Sequence, residues 1–385
     1  MHVSRASEEF EVEELSDLPS TGGPFALYRL SKREIGTLEA ADALSRRLNV
    51  NRRAIAWGGM KDRHAATRQL LTIRDGPRMD VHLDRASLEY LGQSPRAITA
   101  GDIRGNRFRM VLRGESSPAA ARSPIEDALR RLARDGMPNY FDDQRFGSVV
   151  DTGELVAVAW CRGEWERALR LALAEKNRHD GAAEAAERKV LRERWGDWAA
   201  CKVALPRSHR RSLVTYLVDH PADFRGAFER IRVDLRRLYL AALQSAVWNA
   251  VLGATLEATC GGSPLAHVRV GSAELPVFRE LDDAQRAALA GLSIPLPSAR
   301  ARIDDAALRA RFEAALAPLG LDLARMRVSH GRDAYFPRSS RPAVVVPAGL
   351  AHEWIDDGAA LLLRFELPRG SYATLLGDLV GSRAR

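Results

Sequence analysis

Both ends of the chain carry the two-residue alternation of half-buried strands, and the stretch between them is written mostly in the longer period of helices. Phe108, Met110 and Leu112 alternate with Arg107, Arg109, Val111 and Arg113, a half-buried strand with a basic outer face, and far downstream Leu363, Phe365 and Leu367 alternate with Arg364 and Glu366. Residues 25–30, 69–73 and 343–346 also read as strands, whereas from about residue 151 the pattern turns helical, over 164–175 and 183–198. Leu235, Leu238, Tyr239, Ala242 and Ala246 give a further helical face. An end that resembles the beginning predicts an α+β core interrupted by a largely helical insertion, rather than two sequential domains. With 385 residues the chain is long enough for about two hydrophobic cores.

Two shorter helices frame the region of interest. Leu38, Ala41, Leu44 and Leu48 fall at helical spacing behind Thr37, the expected cap. Ser123, Pro124 and Glu126 read as cap, first helical residue and capping box for a helix whose stripe is Ile125, Leu129 and Leu132 and whose exit is Gly136. Residues 261–302 are rich in turn formers and give no clear assignment.

The run Gly58-Gly59-Met60-Lys61-Asp62-Arg63-His64 sets one carboxylate between two cations, directly after a glycine pair. Neighbouring cations hold a carboxylate ionised, and the glycines are expected to leave room for a substrate backbone. Asp62 is therefore the candidate nucleophile or base, with Lys61, Arg63 and Arg145 as candidates to keep it charged. Just beyond the expected helix exit comes Asn139-Tyr140-Phe141-Asp142-Asp143-Gln144-Arg145-Phe146-Gly147. It offers an aromatic ring to stack on a base, an amide to orient a polar group, and a guanidinium for phosphate or carboxylate.

Composition narrows the partners. The net charge of +8 and pI near 9.7 come mainly from arginine, which suits planar contacts to phosphate and bases. Basic stretches at Arg207, His209, Arg210 and Arg211, and at Arg225, Arg230, Arg232, Arg236 and Arg237, read equally as solvated helix faces or as RNA contacts. Cys161, Cys201 and Cys260 form no CxxC or Cys/His pattern, which argues against structural disulfides and a zinc site. No apolar run approaches the roughly 20 residues of a membrane helix, and residues 1–10 carry no apolar signal region, so the expectation is a soluble cytoplasmic protein.

Six motifs, in order along nearly the whole chain, resemble those of the TruD family of tRNA pseudouridine synthases. GMKDRHAATRQ at residues 59–69 is similar to its catalytic motif, 139–147 to its NxFGxQRFG motif, and Gln244-Ser245 with Trp248-Asn249 to its QSxxFN helix. Glu9 to Glu14 resembles the opening DFxVxE, Lys32 with Thr37 a KxxxxT step, and Leu367 to Thr374 the closing LPxGSYAT. The resemblance implies a pseudouridine synthase core at 1–154 and 339–385, with a mixed, largely antiparallel β-sheet flanked by helices. It puts a mostly helical α+β insertion at 155–338.

It further implies an enzyme that isomerises uridine 13 of tRNA with neither metal nor organic cofactor, and a self-contained cleft makes a monomer the simpler expectation. Asp62 then matches the catalytic aspartate, Asn139 the residue that orients it, and Phe141 the ring that stacks on the target base. Phe10, Lys32 and Tyr372 match motif positions near the substrate. Two positions depart from the family pattern: Asp142 stands where the family has Gly, and its N-terminal Lys falls at Ser4, beside Arg5. Two other classes fit the residues less well, a non-catalytic tRNA-binding protein or chaperone, and a hydrolase pairing Asp62 with His64 or His330. Intact Asp62, Asn139 and Phe141 argue against the first, and the lack of diagnostic histidine spacing against the second.

Overall fold

The structure is a computed structural model that describes residues 2–4, 6–114, 122–263, 265–328 and 334–383. Arg5 and His330 lie outside the described residues. Packing divides the chain into two units, residues 1–137 with 345–385, and residues 138–344. The segment 138–154, grouped with the first part in the sequence reading, packs with the second unit.

The first unit is built on a ten-stranded mixed sheet. Its main path runs Ala348–Ile355, Ala360–Pro368, Ile103–Arg113, Phe10–Ser16, Ala66–Arg74, Phe25–Lys32, Ala86–Ser94 and Val81–His82. Every pairing is antiparallel except Phe10–Ser16 against Ala66–Arg74, where Glu11 lies opposite Ala66 and Glu13 opposite Arg68. The strand Ala360–Pro368 pairs with Ile103–Arg113 along its whole length, Phe365 opposite Phe108 and Leu363 opposite Met110. The two alternating patterns at opposite ends of the sequence are thus neighbouring strands.

Alternation gives this sheet two different faces. Phe108, Met110, Leu363 and Phe365 are buried, and a Cβ added at Gly377 of the helix Ala373–Arg383 would strike Leu112 and Met110, so that helix covers this face. On the other face Arg107 pairs with Glu13 at 3.1 Å and Glu366 at 2.8 Å, and Arg109 with Glu11 at 3.2 Å. Arg113 pairs with Glu9 and Asp356. The expected basic outer face is therefore largely neutralised by acids on the adjacent strands. Val111, expected among these arginines, is buried with Ala360 and Leu362.

Helix Thr37–Leu48 packs Ala40, Ala41 and Leu44 against Tyr28, Leu30, Leu71 and Leu88 of the sheet. Its cap is Gly36 rather than Thr37: the Glu39 carboxylate accepts the Gly36 N–H at 3.2 Å, which releases the Thr37 hydroxyl for another task. Leu38 is half exposed, so the buried stripe is rotated from the expected one. Helix Arg122–Asp135 buries Ile125, Leu129 and Leu132 as expected. It begins at Arg122, which puts Ser123 inside the first turn instead of at the cap. Gly136 follows at φ +73°, a left-handed exit that glycine takes without a Cβ penalty.

The second unit surrounds the long helix Val233–Cys260. Tyr239, Leu243, Val247, Trp248, Val251 and Leu256 bury several sides of it, as expected for a helix that forms the middle of a core. Helices Val156–Arg162, Trp165–Leu173, Ala182–Glu193, Trp198–Ala204 and His209–Asp219 precede it. The stretch 183–198, expected as one helix, is broken at its end because Asp197 caps a new one, accepting the Ala200 N–H at 3.0 Å. The unassigned stretch after residue 261 contains the hairpin Leu265–Val270/Ala273–Phe278 and the helix Asp283–Leu289. A two-stranded ribbon joins Ser293–Pro295 to Ser340–Pro342, with Ile294 opposite Arg341.

Several of the basic side chains expected on solvated faces or RNA are used internally. Arg210 sits 3.4 Å from Glu187, Arg225 pairs with Glu229 at 3.0 Å, and buried Arg236 donates to the Ile231 carbonyl at 2.9 Å.

Candidate active site

The loop after strand Ile55–Trp57 presents Asp62 as an exposed side chain and fixes it through its backbone. Lys32, on the facing strand and only 3% exposed, donates from Nζ to the carbonyls of Asp62 at 2.7 Å, Ile35 at 2.8 Å and Lys61 at 3.4 Å. The Thr37 hydroxyl accepts the Lys61 N–H at 3.0 Å and lies 3.1 Å from Gln69 Oε1, while Gln69 Nε2 donates to the Gly59 carbonyl at 2.9 Å. A buried cation and two neutral polar groups therefore peg the loop on both sides of Asp62. The carboxylate itself accepts the His64 N–H at 3.0 Å, a local turn that sets the direction of the side chain.

The flanking cations divide. Lys61 turns inward, its Nζ 2.7 Å from Glu14 and 2.8 Å from Asn106 Oδ1, with both partners of the ion pair almost fully buried. Arg63 pairs with Glu39 at the surface. Burial pulls the Lys32 ammonium down to about 8, with the Asp62 carboxylate opposing that and the Lys61 charge adding to it. Gly58 has a structural use that differs from the expected one: an added Cβ would sit 2.8 Å from Ile103 and 2.9 Å from the Thr99 carbonyl. The space is already filled by the protein's own chain.

Phe10 is half-buried and stacks on Phe108 at 6.4 Å, and Tyr372 stands partly buried at the start of the closing helix. A cavity of about 570 Å³ opens over the charged sheet face, lined by Glu11, Glu13, Arg68 and Arg107 among others; Asp62 does not line it.

In the second unit, Asn139 and Phe141 are held from two directions. Buried Arg341 donates from Nη2 to Asn139 Oδ1 at 2.6 Å and from Nε to the Asn139 carbonyl at 2.7 Å, and it reaches the Tyr140 carbonyl at 3.2 Å. Asn139 Nδ2 donates to the Pro342 carbonyl at 3.1 Å. From the long helix, Asn249 accepts the Phe141 N–H at 2.9 Å and returns a donor to the Phe141 carbonyl at 2.8 Å. A single amide side chain thus pairs with Phe141 as a neighbouring strand would.

The Phe141 ring, 7% exposed, meets Trp248 edge-on at 5.5 Å and lies under the Arg341 guanidinium at 4.3 Å. Arg145, 5.5 Å from the same ring, donates to the Ser245 hydroxyl at 3.2 Å. Tyr140 is fully buried and donates to the Pro276 carbonyl at 2.7 Å, and that burial pushes its phenol well above the usual range. Asp142 has φ −93° and ψ 172°, extended backbone open to any residue, so the departure from glycine leaves the turn unstrained.

Lys32, Lys61 and Asp62 are thus gathered in one hydrogen-bonded loop, and Asn139, Phe141 and Arg145 around one ring. Sequence reasoning missed Arg341 and Asn106. Glu14 gave a usable signal, an acid on the same strand face as Phe10 and Val12. Among the described residues no cluster of His, Cys, Asp and Glu is arranged to hold a metal ion, and no helix is long and apolar enough to cross a membrane.

A mixed sheet carrying an exposed, backbone-pegged aspartate, with a separate aromatic–amide platform, defines a chain of the RNA-modifying type to which its motifs are similar. Comparison with known proteins makes that specific. The chain belongs to the tRNA pseudouridine synthase D (TruD) family, whose sequence profile matches residues 1–377. It is 31% identical to the tRNA pseudouridine synthase D of Geobacter metallireducens over 387 residues, covering 97% of this chain and 92% of that one. It is 32% identical to the tRNA pseudouridine synthase D of Geobacter sp. strain M21 over 402 residues, covering 99% and 96%. The crystal structure of a tRNA pseudouridine synthase D (TruD) candidate from Methanosarcina mazei superposes with a TM-score of 0.69 at 25% identity, covering all of this chain and 94% of that one. The expected family and the expected α+β fold with a mixed, largely antiparallel sheet are both met.

Proposed function

We propose that this chain isomerises uridine to pseudouridine at position 13 of tRNA, with Asp62 as the reacting group. In that reaction the N1–C1′ bond breaks, a C5–C1′ bond forms, and the C5 proton is lost as N1 gains one. An anionic oxygen near the ribose serves by attacking C1′ or by taking the C2′ proton, and Asp62 has the chemistry for either. The reaction consumes nothing, so the proposal needs no metal or organic cofactor.

The observation that carries the reading is the state of Asp62. It is exposed while the Lys61 carbonyl before it and its own carbonyl are both fixed by Lys32, so the backbone that carries the carboxylate is held in place and the side chain faces outward. Phe141, with Asn139, is assigned to holding the target base; its ring is 7% exposed beneath Arg341, so stacking, which offsets the few kcal/mol that everting a nucleotide from folded RNA costs, requires the base to take the guanidinium's place over the ring. Phe10, Lys32, Lys61, Arg63, Arg145 and Tyr372 are assigned to the substrate side, Lys32 and Lys61 through the shape of the loop. We place the enzyme in the cytoplasm beside its tRNA substrate, acting as a monomer.

The test is a transcriptome-wide map of pseudouridine in the host with and without the gene. Loss of the signal at tRNA position 13 is expected; an unchanged map would contradict the assignment.

A further inference from the structure

The second unit carries a basic pocket that plays no part in the proposed chemistry. It has a volume of about 400 Å³ and is formed where residues 295–302 meet residues 338–340. Arg300, Arg302 and Arg338 line it together with Ser298, Ser339 and Ser340, and among the described residues no carboxylate lines it. All three arginines are exposed, and among the described residues none has an ion-pair or hydrogen-bond partner. Arg107, Arg113, Arg188 and Arg210, by contrast, are each committed to a carboxylate.

A second observation points the same way. Ser298 is 4% exposed, and its hydroxyl is buried without any hydrogen-bond partner. An orphaned buried hydroxyl costs about 1–3 kcal/mol unless something supplies the missing bond. Three unneutralised guanidinium groups beside an unsatisfied donor are complementary to a tetrahedral oxyanion. The remaining lining, Pro295, Leu296 and Ala301, offers no aromatic ring on which a free base could stack.

The pocket is also joined to the platform described above. Ser340 lies opposite Pro295 and Arg341 opposite Ile294 on one ribbon; Arg341 clamps Asn139, and the Ile294 carbonyl accepts the Trp248 indole N–H at 3.1 Å. A ligand held by Ser340 and the three arginines is thus anchored to the same rigid ribbon that supports Phe141.

We infer that this pocket is a docking site for a backbone phosphodiester of structured RNA. The inference rests on the tRNA reading and adds to it a contact that supplies affinity and register without reading bases. Its test is the salt dependence of binding of an unmodified tRNA transcript between about 50 and 200 mM salt. Replacing Arg300, Arg302 and Arg338 together by Ala is expected to weaken binding about 10- to 100-fold at the low end and to flatten the log–log slope by about 2, since each lost phosphate contact removes roughly 0.7. Lysine at all three positions restores most of the slope, and Ser298→Ala weakens binding a few-fold with the slope intact. Circular dichroism checks folding, and single Arg→Ala variants, each worth about 0.7 in slope, replace the triple variant if it misfolds.

A folded triple variant with the wild-type slope overturns the inference. So does calorimetric binding of inorganic phosphate in the wild type alongside tRNA affinity that the variants leave unmoved, which would mark a free-anion site. Wild type that makes pseudouridine while the variants bind normally sinks this site alone; wild type that neither binds nor modifies tRNA sinks the function with it.

Discussion

The Asp62 loop and the Asn139–Phe141 segment carry comparable motifs but are prepared in opposite ways. In the loop the backbone is pegged by Lys32, Thr37 and Gln69 while the reacting side chain stays exposed. In the segment the backbone is held too, by Asn249 at Phe141 and by Arg341 at Asn139, but the side chains are enclosed with it, the Asn139 amide by Arg341 and the Phe141 ring in the core, and almost nothing is left exposed. The difference separates chemistry from architecture. A group that must change its bonding partners is held by its main chain, whereas a platform that must stay flat is built into a core. Substitutions in the segment therefore act on folding first, and substitutions at Asp62 act on the reaction alone.

The comparison breaks most readily at Arg341. Replacing it by Ala leaves Asn139 Oδ1 and two carbonyls unpaired in the core, and urea unfolding is expected to record a loss of about 3–5 kcal/mol. A loss under about 1 kcal/mol would show that the clamp is not structural. Asn249→Ala is the next step down, expected at about 2–4 kcal/mol because it strands the N–H and C=O of Phe141.

Lys32 sharpens the other half. Its ammonium is drawn down to about 8 by burial, while in the unfolded chain it titrates near 10.5, so between those values the unfolded state binds more protons. Stability contributed at this position is therefore lowest below pH 8 and rises as pH climbs from 8 to 10.5. Urea midpoints for wild type minus Lys32→Met should shift toward wild type across that window. A flat difference would show that Lys32 is not buried as a charge. The smallest expected effect on stability is Asp62→Asn, within about 0.5 kcal/mol because the side chain is exposed and keeps an oxygen for the His64 N–H.

The same contrast explains what could be read before the fold was known. Strand alternation around Phe108 and Phe365, the buried stripe of Ile125, Leu129 and Leu132, and the run around Asp62 are local patterns, and local patterns are visible in a sequence. Arg341 was not, because its partner Asn139 lies 202 residues away and nothing near Arg341 marks it as buried. Thr37 looked like a helix cap because hydroxyls usually cap; here Gly36 and Glu39 do so, and the hydroxyl serves the loop instead. Gly58 looked like room for a ligand, but a missing Cβ does not say which atoms fill the gap. The strand arginines looked like a basic surface because the acids facing them come from distant strands.

The most direct test uses tRNA transcripts carrying tritium at C5 of uridine, with release of label followed for wild type and for an Asp62→Asn variant of matched unfolding midpoint. The account predicts release by the wild type and a fall of about a thousandfold or more in the variant, the loss of more than about 4 kcal/mol of transition-state stabilisation. Equal release by the two proteins would contradict it.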